Sequence, residues 1–366
     1  MENDNLTKNT DGKIYWIECI RVFSTFLVVM QHSISGVWTT LPPETAEWKI
    51  INLVFLISRC AVPVFFMCSG IGMLAKKRSV ESIFKKNILG LLKIYIAWMV
   101  VFGVRDGISL IQEGYGIRIV LNAFIKDIVF GQYHTWFIMT LIGLYLITPL
   151  LHEIIIREKL MKYFLLLSVL FTVIIPFIGK LDGSGRLNTT FETINMRFVV
   201  GYVMYYVLGY YIFCITGSGH DEHIVFLKGR SHFISYTTSR KKAFIATAIL
   251  FVVSVLTAFI ISSMASIRNG EATQTAYGEF TPLGLIINVS FLTLFLVLVA
   301  SEKNNKRISL VGNCGAGIYL MHPLILPIAF YFSGLSRLLG GIIVYLIALI
   351  ICLIIRKLGQ IFRREA

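Results

Sequence analysis

Charge is what this sequence lacks most: Asp, Glu, Lys and Arg together make up 15% of its 366 residues, against about 25% in soluble domains. Hydrophobic residues account for 56%, and the mean hydropathy is +0.75. That balance excludes a water-soluble globule and leaves an integral membrane protein. Cysteine is also scarce, with six in all, each within or at the end of an apolar run and none in a CxxC pair (Cys19, Cys60, Cys68, Cys214, Cys314, Cys352). The pattern offers neither a disulfide framework nor a thiolate metal site, so they read as small apolar residues. Long polar segments are missing too. No stretch between apolar runs is long enough to fold as a soluble domain, and there is no internal repeat and no inverted pair of broken helices of the kind that marks many transporters.

What is present is a series of apolar runs, each long enough to cross a hydrocarbon layer of about 30 Å as a helix. Ten are expected to span: Ile14 to Val37, Ile51 to Ala75, Ile88 to Val104, Trp136 to Leu151, Phe164 to Gly179, Phe198 to Thr216, Ala243 to Ser263, Leu283 to Ala300, Leu310 to Phe332 and Leu338 to Ile355. An eleventh run, Ile117 to Phe130, is interrupted by Arg118, Lys126 and Asp127, which suits an interfacial or re-entrant segment better than a span. The first run follows a polar, partly acidic tail (residues 1–13) and carries ionisable groups in its core, so it is expected to be a retained helix and no signal peptide.

Basic residues orient the chain, because Lys and Arg are retained on the cytoplasmic side of short loops. The tail and the segments Lys76 to Lys86, Arg157 to Lys162, Gly217 to Lys242, Ser301 to Arg307 and Arg356 to Ala366 hold 22 of the 34 Lys and Arg. The alternate segments hold 9, and Arg21, Arg59 and Lys93 fall inside spans. Both termini are therefore expected in the cytoplasm, with 217–242 the longest cytoplasmic loop and 105–135 the longest external one. The net charge of +14 follows from this topology and from contact with anionic lipid; it needs no nucleic-acid partner.

The first run, IECIRVFSTFLVVMQHSI, poses the chemical question. An ionisable group inside a bilayer costs from about 2.5 to more than 10 kcal/mol, so its presence is a functional hypothesis. Arg21 and His32 lie 11 residues apart, within about 20° of one helix face and about 16 Å apart along the axis. Glu18 precedes Arg21 by three residues and can pair with it. Either Glu18 and Arg21 snorkel to the headgroups while His32 makes an interhelical hydrogen bond, or the stripe lines a water-filled pocket with a base deep inside it. Arg59, deep in the second run with no opposite charge near it in sequence, is expected to line the same cavity and to meet Glu18 or substrate. His220, His223 and His232 have no Cys or carboxylate geometry around them, and no metal is expected.

Four segments in order make this chain resemble the integral-membrane acyltransferases of the acyltransferase-3 group, which decorate surface polysaccharides and related glycans. They are the Arg21, ten residues, His32 arrangement preceded by Glu18; RCAVPVFFMCSG (Arg59 to Gly70), like that family's Pro, Phe-Phe and Ser-Gly segment; YHTWFIMTLIGLYLITPLL (Tyr133 to Leu151), like its Trp-Phe helix ending at Pro; and GIYLMHPLIL (Gly317 to Leu326), like its late Tyr-Leu-x-His segment. The resemblance covers nearly the whole chain. It implies an all-α integral membrane protein of about ten transmembrane helices around a polar cavity, a single domain over 1–366, in a cell membrane, the bacterial cytoplasmic membrane in the first instance.

It also implies transfer of an acyl group, acetyl above all, from cytoplasmic acyl-CoA to a hydroxyl of a surface or exported glycan. Acyl-CoA is then a co-substrate, with no tightly bound cofactor. His32 would correspond to the family's essential histidine, as base or acyl carrier, and Arg21 to its essential arginine, near the donor. The family commonly has two arginines three residues apart after the first cytoplasmic loop; here Asn87 and Gly90 occupy those places, and Lys85, Lys86 and Lys93 either replace that charge or are ordinary positive-inside residues. Trp136, beside His134, is an interface anchor or a stacking surface for sugar or acyl chain. Tyr319 and His322 match the late segment, or simply bond helix to helix. The alternative from another class is a transporter or flippase in which Arg21, His32 and Arg59 bind and relay protons without covalent chemistry.

Overall fold

In the computed structural model the described residues are 15–181, 189, 193–216, 223–226, 236–274, 278–299 and 310–365. The tail 1–13, most of the 217–242 loop (with His220 and His232) and the 301–307 loop lie outside them. The chain forms α1 (Tyr15–Thr40), α2 (Ala46–Ser58), α3 (Ala61–Leu74), a π-helical turn (Ile83–Ile88) leading into α4 (Leu89–Gln112), α5 (Ile117–Phe130), α6 (Trp136–Ile155), α7 (Glu158–Val169), α8 (Ile175–Leu181) and α9 (Tyr202–Ile215). After a two-stranded antiparallel hairpin, β1 (His223–Phe226) and β2 (Tyr236–Ser239), come α10 (Arg240–Asn269), α11 (Pro282–Val299), α12 (Gly315–Ile325), a 3₁₀ segment (Leu326–Tyr331) and α13 (Arg337–Glu365).

Among the described residues, seven helical stretches are long and apolar enough to cross a membrane: Ile17–Thr40, Ala46–Leu74, Val80–Gln112, Trp136–Ile155, Glu158–Lys180, Lys241–Asn269 and Gly334–Leu358. Three of the expected spans correspond to shorter apolar helices, Tyr202–Ile215, Pro282–Val297 and Gly315–Tyr331. The surface of α10 shows where lipid would lie. Ile245, Ile249, Val252, Val253, Leu256 and Ile260 are exposed along one face, a stripe no water-soluble helix would present.

Within 105–135, the helix α4 runs on to Gln112, past the expected end at Val104, and Ile117–Phe130 forms the helix α5, which is not among the stretches long enough to span. The apolar residues Ile108 and Ile111 continue the pattern of α4, and local propensity outweighs Arg105 and Asp106, which pair with each other at the surface (Arg105 Nε to Asp106 Oδ1, 2.6 Å).

The helices group into two compact units. In the unit Gly72–Met161, α4 packs on α5. Gly103 lies against the Phe124 ring and Gly107 near Val120, so the two helices meet closely. The chain then reverses at Gly131, whose φ of 73° only glycine adopts at no cost.

In the unit formed by Met1–Ile71 and Lys162–Ala366, α1 is the central helix, packed against α2, α12 and α13. Trp38 Nε1 donates to Asn52 Oδ1 at 2.9 Å and Asn52 Nδ2 to Ser263 Oγ at 3.4 Å, which ties α1, α2 and α10 together through one buried amide. The Trp38 ring stacks on Phe55 with centroids 4.4 Å apart. A second contact joins α3 to α9 in both directions. Gly70 abuts the Tyr206 backbone and Gly209 abuts the Met67 backbone, with no room for a Cβ at either place. Small residues let helix backbones approach where no hydrophobic driving force between helices exists, and this explains the Ser-Gly pair at residues 69–70.

Replacing Gly70 or Gly209 with Val is expected to cost about 1–3 kcal/mol and to lower the thermal midpoint of the chain in lipid nanodiscs. Gly72→Ala, where nothing lies within 4 Å of the added carbon, should leave it unchanged; equal midpoints for all three variants would contradict the close approach.

Candidate functional site

The first helix holds its polar stripe as the spacing predicts. Glu18, Arg21 and His32 all lie on the uninterrupted α1, and Arg21 Nη1 meets Glu18 Oε1 at 3.0 Å. Glu18 is only 3% exposed, and Gly312 lies directly against its carboxylate. Any side chain at residue 312 would strike the acid. Arg21 is more open, at 37%, and its backbone carbonyl accepts from Thr25 Oγ1 at 2.7 Å.

Further along α1, His32 meets a residue 290 positions away. Its ring stacks on that of His322 with centroids 5.2 Å apart and planes 30° from parallel. His322 is fully buried, and the reason for its orientation is local. Pro323 has no N–H, so the Tyr319 carbonyl, four residues earlier, cannot receive its usual helical hydrogen bond. His322 Nδ1 lies 2.6 Å from that carbonyl. A carbonyl only accepts, so Nδ1 carries the proton and Nε2 of neutral His322 carries the lone pair. The Tyr-Leu-Met-His-Pro sequence thus sets a tautomer: Pro removes one donor and His supplies another. The two imidazoles, one on α1 and one on α12, thus face each other inside the unit.

Arg59 meets a distant acid. It sits at the break between α2 and α3, where Pro63 frees its carbonyl from the helical ladder, and its partner is Glu279 rather than Glu18. Nη2 reaches Glu279 Oε2 at 2.7 Å and Nη1 reaches Gln274 Oε1 at 2.8 Å. On the other side of the carboxylate, the Tyr202 hydroxyl donates to Glu279 Oε1 at 3.0 Å. Tyr205 donates to the Glu279 carbonyl and receives a bond from Asn288 Nδ2 at 2.9 Å. Burial pushes the Glu279 carboxyl up, but the Arg59 guanidinium, backbone hydrogen bonding and the Tyr202 hydroxyl outweigh it and hold the acid below its ordinary value. Glu279, Tyr205 and Asn288 were not anticipated from the sequence. Glu279 is an isolated acid in a connecting segment, and only the unmatched charge of Arg59 pointed to a distant partner.

The other candidates fall in the second compact unit. Lys85 and Lys86 are exposed on the π-helical turn, Lys85 paired with Glu81 at 2.7 Å, and Lys93 is exposed on α4. Asn87 and Gly90 lie on the same stretch and supply no charge. His134 is buried, its ring edge-on to Phe102 at 5.1 Å, whereas Trp136 is 43% exposed at the start of α6. Nearby, Gln132 Nε2 donates to Asp106 at 2.9 Å and to Asp127 at 3.0 Å; burial and the neighbouring Asp106 raise the Asp127 carboxyl.

The described helices and their exposed apolar faces define a multi-pass membrane protein. The chain belongs to the acyltransferase-3 family: the family described as Acyltransferase domain matches residues 14–357, nearly the whole chain. No curated protein and no solved structure matches it.

Two outcomes follow from this geometry. Pro323→Ala restores a backbone donor to the Tyr319 carbonyl, so ¹⁵N spectra of labelled histidine should change from one Nδ1-protonated His322 signal to a mixture of tautomers. The second concerns acid. Because the folded-state value of Glu279 is lowered, its contribution is complete above the ordinary 4.5 and is lost as pH falls through the depressed value. Hydrogen exchange around residues 278–281 should therefore be flat from about pH 8 to about pH 5 after correction for intrinsic rates, and rise below. Glu279→Gln should abolish that acid step.

Proposed function

We propose that this protein is a membrane O-acyltransferase that moves an acyl group, acetyl in the first instance, from cytoplasmic acyl-CoA to a hydroxyl of a surface or exported glycan. Family membership supports the reaction class. The single observation that carries the chemistry is the stacked His32 and His322 pair, with a neutral, tautomer-defined imidazole beside the histidine of the Arg-x10-His arrangement. His32 takes the proton of the acceptor hydroxyl as its oxygen attacks the thioester carbon. The C–S bond breaks and CoA leaves as the thiolate, which takes up a proton. His322 fixes the ring against which His32 packs. Arg21, paired with Glu18, lies about three turns nearer the N-terminus, where its guanidinium orients a phosphate or the thioester region of the donor.

In this reading both termini face the cytoplasm and ten helices cross the membrane, the three shorter ones included. Lys85, Lys86 and Lys93 would then lie on the donor's side, where they serve the phosphates of the coenzyme. His134 and Trp136 would lie towards the acceptor, and Tyr319 acts through its carbonyl. The membrane itself is the bacterial cytoplasmic membrane.

The test is reconstitution in vesicles with acetyl-CoA and a purified surface polysaccharide, reading free CoA and acetylated product together. His32→Ala is expected to lower CoA release by about 10²- to 10⁴-fold, the range of a lost acid–base group. Release at the wild-type rate by that variant would sink the mechanism. No release by the unaltered chain, with movement of the glycan across the vesicle membrane, would favour a transporter.

A further inference from the structure

We propose that the cluster of Arg59, Glu279 and Tyr202, at the α2–α3 break and the Gly278–Thr281 turn, is a subsite that binds the hydroxyl groups of a neutral sugar ring, holding the acceptor. The assignment of that sugar as acceptor rests on the acyl-transfer reading above. The binding chemistry itself stands on the cluster.

A strut between two helical segments needs one ion pair. This cluster has more than a strut requires. Glu279 receives one hydrogen bond on each carboxylate oxygen, from Arg59 at 2.7 Å and from Tyr202 at 3.0 Å. Each oxygen has lone-pair capacity for a second donor. Its backbone is fixed from behind by the Tyr205 hydroxyl, which Asn288 in turn holds at 2.9 Å, and the turn is tied by Thr281, whose N–H reaches the Gly278 carbonyl at 3.0 Å and whose hydroxyl caps α11 through the Gly284 N–H at 3.1 Å. A carboxylate held this firmly is preorganised for a ligand. Asn288 is fully buried, and its Oδ1 has no hydrogen-bond partner among the described residues; an unmet buried acceptor is costly in a purely structural network.

Exposure and ring geometry point the same way. The Arg59 side chain is 16% exposed and that of Glu279 26%, so both can be reached. Tyr202 and Phe280 are partly exposed, with ring centroids 5.0 Å apart, and Phe66 lies under Tyr202 at 4.5 Å. Aromatic faces beside a carboxylate and a guanidinium suit a pyranose, whose C–H face is apolar and whose hydroxyls both donate and accept. Charge decides against the donor's phosphates. Arg59 is already neutralised by Glu279, and a phosphate, which only accepts, would meet the carboxylate as a like charge.

The test uses the full chain in lipid nanodiscs, with methyl β-D-glucopyranoside and methyl β-D-galactopyranoside as probes and inorganic phosphate as competitor, read by saturation transfer to the sugar ring protons. At least one glycoside should receive saturation. Its apparent Kd should weaken about fivefold or more in Glu279→Gln and in Tyr202→Phe, the loss of a hydrogen bond involving a charged group. Phosphate should not displace it. The doubly exchanged chain, Arg59→Glu with Glu279→Arg, keeps an ion pair while inverting the positions of donor and acceptor, so it should remain folded and bind the glycoside more weakly. Wild-type binding by the exchanged chain or by Glu279→Gln, displacement by phosphate, or no saturation of either glycoside would each overturn the proposal. Glycoside binding without CoA release would sink acyl transfer and leave the sugar subsite standing.

Discussion

A hydrocarbon layer supplies no hydrogen-bond partners, so polar groups at its depth are stable only where the protein answers them. The architecture of the larger unit follows from this constraint. Glu18 is answered by Arg21 on the same helix, Asn52 by Trp38 and Ser263 on two others, and Arg59 by Glu279 across 220 residues of sequence. The last two join segments that apolar packing alone would leave free to slide, since lipid is as good a solvent for leucine as another helix is.

Proline enters as the same constraint applied to the backbone. Pro63 and Pro323 each withdraw a donor from a carbonyl four residues earlier. At Tyr319 the gap is filled by His322 Nδ1, and a structural repair becomes a chemical setting, because it decides which imidazole nitrogen keeps its lone pair. At Arg59 the helix breaks and turns a cation outward to Glu279 and Gln274. The two prolines thus stand beside His322 and Arg59. Glycine has the complementary role. Gly70 and Gly209 bring α3 and α9 into backbone contact, which brings Tyr202 and Tyr205 on α9 to the Glu279 turn, while Gly312 leaves room for the Glu18 carboxylate.

Function follows from keeping these centres apart in kind. The histidine pair sets two imidazoles face to face, the tautomer of neutral His322 fixed by the Tyr319 carbonyl. The Arg59 cluster is charged but balanced, suited to hydroxyl groups. In the other unit the lysines lie exposed at the surface, Lys85 paired with Glu81.

The apolar runs, their approximate limits and the polar stripe of α1 were legible in the sequence, because length, hydropathy and an 11-residue spacing are local properties that a helix converts directly into geometry. Family membership was legible from four short segments for the same reason. The partner of Arg59 was not, since a lone Glu279 in a connecting segment carries no periodic signal and its role depends on a contact 220 positions away. Nor was the length of α4, which runs eight residues past Val104 to Gln112 through Arg105 and Asp106. The sequence by itself determined that this is a membrane protein with a histidine and an arginine on one helix face. Only the tertiary structure decided that His32 meets His322 and that Arg59 meets Glu279, because pairing between distant helices depends on which backbones can approach, and that is a property of packed surfaces rather than of any one segment.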